Sequence, residues 1–292
     1  MKKLFDTKTL TLNFSTGYLK NYSHIKIGGK VNYIFEAKSV NDLLAVYAFA
    51  SYNKLKIVPI GGGSNILFGN PKNSIIVPDK ALQKDIKLEG ELVLVTANYN
   101  INELIMKLSE FNLGGLEFLA GIPAHLGGLI AMNAGAFSHT ISEFVEKVFI
   151  VTPSGEQSTL SRNSISFDYR KTSIDGFIYK VLLKVKKVEK SQILKDVRHF
   201  IGIRKEKQPI TLPNLGSFYK NPPNNHTGKL IDELGLKGLQ IGGAKISTKH
   251  ANFIVNIKDA TFDDIIKLME IIEEKVKEHF GLELEREIRV IS

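Results

Sequence analysis

The chain has 292 residues, 43% hydrophobic and 24% charged, with no Cys and no Trp. Such a composition excludes wholesale disorder, and the missing Cys excludes disulfides, a thiolate nucleophile, Cys-ligated zinc and iron–sulfur clusters. The net charge is +9, a balance that suits nucleic acid, an anionic membrane or small polyanions. Only six of the 39 basic residues are Arg and the Lys are scattered, as on a solvated surface rather than a concentrated nucleic-acid reader.

Residues 31–37 read as a strand, and Ser39 caps a helix over 40–53 with apolar residues at helical spacing. A short buried strand, 55–60, runs into the glycine turn 61–65. Further strands are expected at 74–78, 85–90 and 91–97, and a helix at 101–112. Residues 145–160 form a hairpin turning on Pro153-Ser154-Gly155, and 177–188 a long alternating strand. Near residue 190 the pattern changes. A helix over 191–207 leads to a polar, proline-bearing loop, 208–227. A helix at 228–236, a strand at 250–256, a helix over 262–280 capped by Thr261 and a closing strand at 282–291 complete the chain. The apolar stretch 114–137 is interrupted by Glu117, Pro123, His125 and several Gly, so it reads as buried turns rather than a membrane span. Met1-Lys2-Lys3 leads into a polar segment unlike a signal peptide, which makes the cytoplasm the expected location.

Two glycine stretches carry chemistry or packing. Gly61-Gly62-Gly63-Ser64-Asn65 is either a plain turn or an anion cradle in which backbone N–H groups converge. It has neither the Gly-Lys-Ser/Thr of a Walker loop nor the spacing of a dinucleotide fingerprint. Gly121, Gly127, Gly128 and Gly135 sit among small apolar residues, where backbone lies against either a flat ligand or another backbone segment. Farther on, Ser217 follows Gly216 directly, which is not the arrangement of a hydrolase nucleophile. In LELEREIRV, Glu283, Glu285, Glu287 and Arg289 alternate onto one face: an exposed charged face, or carboxylates set beside an arginine for acid–base work. Arg170, in FDYRKTS, is a scarce arginine suited to bidentate recognition of a carboxylate or phosphate. No H-E-x-x-H or H-x-H pair occurs, so no metal site is expected, and His250 is expected to be structural.

Taken in order from Lys20 to Ile291, eight segments resemble the UDP-N-acetylenolpyruvoylglucosamine reductase (MurB) family of flavoenzymes in peptidoglycan precursor synthesis. They are KNYSHIKIGGK, VPIGGGSNILF, GLEFLAGIPAHLGGLIAMNAGAF, FDYRKTS, RKEKQP, NLGSFYKNPP, GKLIDELGLKGLQIGGAKISTKHANFIVN and ELEREIR. The resemblance implies an α+β chain. Residues 1–192 would form an FAD-binding part of the vanillyl-alcohol-oxidase (PCMH) type, with two α/β subdomains, about 1–80 and 81–192. Residues 193–292 would form a smaller α/β substrate domain. It implies that Gly61, Gly62, Gly63, Ser64 and Asn65, with Gly121, Ile122, Pro123, Gly127, Gly128, Asn133, Ala134 and Gly135, hold FAD largely through its diphosphate. NADPH would be the reductant and UDP-N-acetylglucosamine enolpyruvate the substrate, giving UDP-N-acetylmuramate. Ser217 matches the family's proton donor, Glu287 its catalytic carboxylate and Arg170 its active-site arginine; Arg170, Lys207 and Asn221 match substrate contacts. A monomer acting on a small molecule, with no nucleic-acid or membrane partner, is expected.

The sequence departs from the family pattern in places. Ala124-His125 stand where the family has Gly and a small hydroxyl residue, Ala97-Asn98-Tyr99 replace Ala-Gly-Ala, and Thr172 replaces a serine. The 46 residues between Arg170 and Ser217 leave little room for the substrate-capping insertion of the longer class, so the shorter class is expected. Two alternatives are another FAD-dependent oxidase or dehydrogenase of the same superfamily and a non-catalytic nucleotide-binding protein. Neither accounts for Ser217, Arg170 and Glu287.

Overall fold

A computed structural model describes residues 12–292. The amino-terminal unit is a mixed sheet. Strands β1 (Ser15–Tyr18) and β2 (Lys30–Ile34) are antiparallel. Helix α1 (Val40–Tyr52) follows, then β3 (Lys56–Ile60), β4 (Ile66–Phe68) and β5 (Ser74–Pro78). The sheet order is β1-β2-β5-β3, with β5 parallel to both neighbours and β4 outside the sheet. A capping box starts α1: Asp42 N–H donates to Ser39 Oγ at 3.3 Å, and Ser39 N–H donates to Asp42 Oδ2 at 3.0 Å. The helix then lays Leu43, Val46, Tyr47 and Ala50 on Ile75 and Val77 of the sheet.

The middle unit is a five-stranded antiparallel sheet of β6 (Ile86–Glu89), β7 (Leu92–Thr96), β8 (Val145–Val151), β9 (Gln157–Ser161) and β10 (Phe177–Lys184). Its order is β9-β8-β10-β7-β6. Two helices lie between β7 and β8 in the chain, α2 (Ile101–Ser109) and α3 (Leu126–Ala131). Ile101, Leu104, Ile105 and Leu108 form the buried stripe of α2. The next helix, α4 (Lys190–Lys207), packs Ile193, Val197, Phe200 and Ile201 on this same core. A division at 192/193 therefore runs through a helix whose apolar side faces the middle unit.

The carboxy-terminal unit contains α5 (Thr227–Glu233), the meander β11 (Gln240–Ile241), β12 (Ala244–Ile246) and β13 (Ile254–Asn256), and α6 (Phe262–Phe280). Thr261 and Asp264 form the capping box of α6, and Gly281 closes it at φ +66°. Ile265, Leu268, Met269, Ile272 and Val276 make its buried face. Ile25, Ile27 and Leu67 from the amino-terminal unit enter the same core. The chain then returns: β14 (Arg289–Ile291) pairs in parallel with β4, Arg289 opposite Ile66 and Ile291 opposite Phe68.

Several elements are shorter than the pattern predicts, three of them for reasons visible in the turns around them. The helix at 101–112 ends at Ser109, and Asn112 turns the chain at φ +55°. The strand at 250–256 narrows to 254–256, because His250 O accepts from Phe253 N–H in a turn. The strand at 282–291 narrows to 289–291, preceded by a single bridge between Arg286 and Tyr219. Alternation there is real, but the partner is a loop and offers no ladder. The stretch 114–137 folds into short turns around α3, and no helix among the described residues is long and apolar enough to cross a membrane.

Candidate active site

The three units meet on one cavity of about 1200 Å³, ample for a dinucleotide and larger than a single drug-sized ligand needs. One wall is the loop 61–65. It stays where it is because its glycines are pressed against other backbone. A Cβ on Gly62 would lie 2.8 Å from Pro123 O, and one on Gly63, at φ +67°, would overlap Tyr22 O. Gly62, Gly63 and Ser64 N–H groups have no protein acceptor among the described residues. Three successive unpaired donors on a cavity wall form an anion nest, so the loop fits the diphosphate of FAD.

The facing wall, 121–128, is fixed by neighbouring elements. Asn102 Nδ2 donates to Ile122 O at 3.0 Å, while its Oδ1 accepts from Gly121 N–H at 2.7 Å. Ile101 N–H donates to Ala124 O, Leu126 N–H to Tyr99 O and Gly127 N–H to Ala97 O. Gly127 is a packing glycine, with Ala97 Cβ 3.0 Å from where its own Cβ would stand; Gly128 faces open space. His125 lines the cavity, and its Nδ1 sits 2.8 Å from Oδ1 of the buried Asp79. Burial pushes the Asp79 carboxyl up, and the imidazole beside it is the main influence drawing it back.

On the carboxy-terminal side the cavity is lined by Ser217 and Glu287. A short antiparallel pairing brings them together: Glu287 N–H donates to Phe218 O at 2.8 Å, and Lys220 N–H donates to Glu285 O at 2.9 Å. Asn252 grips the same turn, accepting from Tyr219 N–H at 3.0 Å and donating to Tyr219 O at 2.8 Å. The Tyr219 hydroxyl donates to Met269 O at 3.0 Å, anchoring the turn to α6. From the opposite side, Asn65 Nδ2 donates to Glu287 O at 3.1 Å. The glycine loop thus holds the carboxylate's backbone.

Arg170 closes the triangle. It sits at φ +56° in a two-residue turn, donates from Nη2 to Gly135 O at 2.7 Å, and places Nε 2.9 Å from Glu287 Oε1. That last contact is an ion pair by distance, with the N–H not aimed at the oxygen. Asn133 is buried and donates to Asp168 O at 2.9 Å, so it supports the Arg170 turn instead of lining the cavity. Thr172 Oγ1 likewise donates to Ala131 O. Burial pushes the Glu287 carboxyl up, against the opposing pull of Arg170 and Lys220.

Gly61, Ile122, Pro123, Ala134 and Gly135 also line the cavity, together with Gly121. Lys207 and Asn221 do not: Lys207 is exposed at the end of α4, and Asn221 Oδ1 accepts from Thr227 N–H at the start of α5. Sequence reasoning passed over Arg204 and singled out Arg289 only as part of a charged strand face; both line the cavity. Arg204 is buried, donating from Nε to Ala120 O at 2.8 Å and from Nη2 to Phe118 O at 3.0 Å. Burial, with the Arg170 charge, pushes it down to about 10. Arginine scarcity, used to pick out Arg170, could have found both. With Arg170 they give the cavity three guanidinium groups for phosphates or a carboxylate.

Residues 31–161 match a family model described as an FAD binding domain. Residues 208–291 match one described as UDP-N-acetylenolpyruvoylglucosamine reductase, C-terminal domain. The UDP-N-acetylenolpyruvoylglucosamine reductase of Thermotoga maritima is 41% identical over 276 residues, covering 93% of this chain and 96% of that protein. The same-named protein of Aquifex aeolicus is 35% identical over 279 residues, covering 94% and 93%. A crystal structure of the enzyme (MurB) from Thermus caldophilus has a TM-score of 0.82 at 30% identity, covering 97% of this chain and 100% of that one.

Proposed function

The chain belongs to the UDP-N-acetylenolpyruvoylglucosamine reductase (MurB) family, and on that premise we propose how its residues divide the work of an NADPH-dependent flavoenzyme. It reduces the enolpyruvyl group of UDP-N-acetylglucosamine enolpyruvate to give UDP-N-acetylmuramate, a step of peptidoglycan precursor synthesis. When bound, FAD supplies the redox chemistry, taking hydride from NADPH and delivering it to the terminal vinyl carbon. The observation that carries the assignment is the convergence of Ser217, Arg170 and Glu287 on the cavity walled by the unpaired donors of residues 62–64.

Hydride addition moves the vinyl electron pair onto the adjacent carbon and its carboxylate. Arg170, with Nη1 still available, faces that charge and stabilises it. Ser217 Oγ–H gives the proton that the adjacent carbon takes. A hydroxyl is a weak acid, so its alkoxide must be re-protonated from neighbouring groups. Glu287 holds the Arg170 guanidinium in place and keeps a negative charge near the proton path. Gly61 to Asn65 and Gly121 to Gly128 hold the cofactor. Lys207 and Asn221 are proposed to meet the substrate from outside the cavity. We propose that the chain acts as a monomer. We read the substrate-binding unit as starting after α4, and the cytoplasm as its place of action on this small molecule.

An anaerobic titration in two steps tests this. NADPH should bleach the flavin absorbance, and the enolpyruvyl UDP-sugar should then restore it. Bleaching without return overturns the substrate, and failure to take up FAD overturns the whole reading.

A further inference from the structure

His125 stands where the family pattern has a small hydroxyl residue, and its surroundings give it a task. Its Nδ1 lies 2.8 Å from Asp79 Oδ1, and the Asp79 side chain is only 6% exposed. Asp79 is itself on the cavity wall, beside the start of the nest. A Cβ placed on Gly61 would be 3.6 Å from Asp79 Oδ2 and 3.6 Å from His125 Cβ. A buried carboxylate so close to an anion site would repel the anion if it stood alone. Paired with an imidazole it does the opposite. It engages Nδ1 and leaves Nε2 as the ring nitrogen open to a ligand. Nε2 has no acceptor among the described residues, while Nδ1 is engaged. Backbone on both sides holds the ring in place: residue 125 bridges Asn100, and Ala124 O accepts from Ile101 N–H.

We infer that the His125–Asp79 pair is a cationic contact for the diphosphate of the bound cofactor, His125 touching it through Nε2 and Asp79 acting as the positioning residue behind it. The inference rests on the FAD reading above. A single charge-assisted hydrogen bond replaces the weaker contact that a serine would make.

The test is the FAD dissociation constant, followed by flavin fluorescence, with ³¹P resonances of bound FAD read alongside. His125→Ala should weaken FAD about tenfold or more and shift a diphosphate resonance, with the visible flavin spectrum retained. His125→Gln keeps an N–H for Asp79 without a charge, so it should restore the apoprotein's melting temperature but not its FAD affinity. Asp79→Asn should weaken FAD while His125 is present but recover part of the affinity in His125→Ala, where the carboxylate otherwise stands alone beside the anion, as a coupled pair requires. A Gln variant that binds FAD like the wild type overturns the inference, because the pair is then only a structural tie. Equal ³¹P spectra in wild type and His125→Ala overturn it as well. A wild-type chain that takes up no FAD sinks the reductase reading itself, a separate and recognisable failure.

Discussion

Between residues 61 and 65 the cavity wall is backbone, held by what its glycines cannot carry. Between 214 and 217, and again at 287, it is side chains on an irregular loop, held by amide grips from Asn252 on the adjoining Tyr219 and from Asn65. The two walls therefore fail differently. A backbone wall tolerates almost any change around it but no new Cβ at its tight points. A side-chain wall tolerates little change of functional group, and it depends on partners far away in sequence.

Substitutions that separate binding from chemistry probe this contrast. Ser217→Ala should leave folding, FAD uptake and NADPH bleaching intact, yet slow substrate-driven reoxidation by about 10²–10⁴-fold. Stopped-flow absorbance separates the two half-reactions, and loss of the first would remove Ser217 from its role. Gly63→Ala should act in reverse. With its Cβ meeting Tyr22 O at φ +67°, it should cost about 3 kcal/mol and release the flavin. Its control is Gly128→Ala in α3, where a Cβ meets nothing within 4 Å. That change should raise apoprotein stability by about 0.5–1 kcal/mol while crowding the cofactor. Denaturant titrations of the apoprotein check both.

Asn252→Ala comes next. It strands the buried N–H and C=O of Tyr219, a loss of about 2 kcal/mol, and should lower kcat more than FAD affinity. The smallest effects distinguish the two candidate glutamates. Burial raises the Glu287 carboxyl, so its charged form burdens the folded state above the ordinary value of 4.5. Glu287→Gln should therefore lose activity but melt higher than wild type at pH 8, with the gain shrinking as pH falls toward that value. Glu285, 71% exposed and paired with Lys220, should give a Gln variant within about 0.5 kcal/mol of wild type and near-full activity. Melting curves at two pH values decide it.

Much of this was legible in the sequence, for identifiable reasons. Ser39 and Thr261 announced their helices because a cap is a local device, fixed by residues three apart. Strand β10 and the β8–β9 hairpin declared themselves through alternation and a Pro-Ser-Gly turn. The glycine loop could be located but not interpreted: whether a glycine packs or leaves room depends on Tyr22, Pro123 and Ala97, which no local pattern reveals. Glu285 and Glu287 are alike in the alternation of LELEREIRV; the family resemblance selects Glu287, and the cavity is lined by Glu287 and not by Glu285. The resemblance places Asn133 among the cofactor contacts, but its Nδ2 donates into the turn that carries Arg170. Arg204 escaped notice because the residues that follow it in RKEKQP are mostly charged or polar, while its guanidinium donates to carbonyls more than 80 residues earlier.

The return of β14 to β4 has a consequence for synthesis. Asn65 and Glu287 are 222 positions apart, so the pairing that seats the carboxylate is among the longest-range contacts the chain can make, and such contacts form late. During translation the amino-terminal and middle sheets can form while β4 keeps an open edge, and the nest stands ready before Glu287 exists. The emerging chain should thus take up its cofactor before it can turn over substrate, with competence arriving only when residue 291 clears the ribosome.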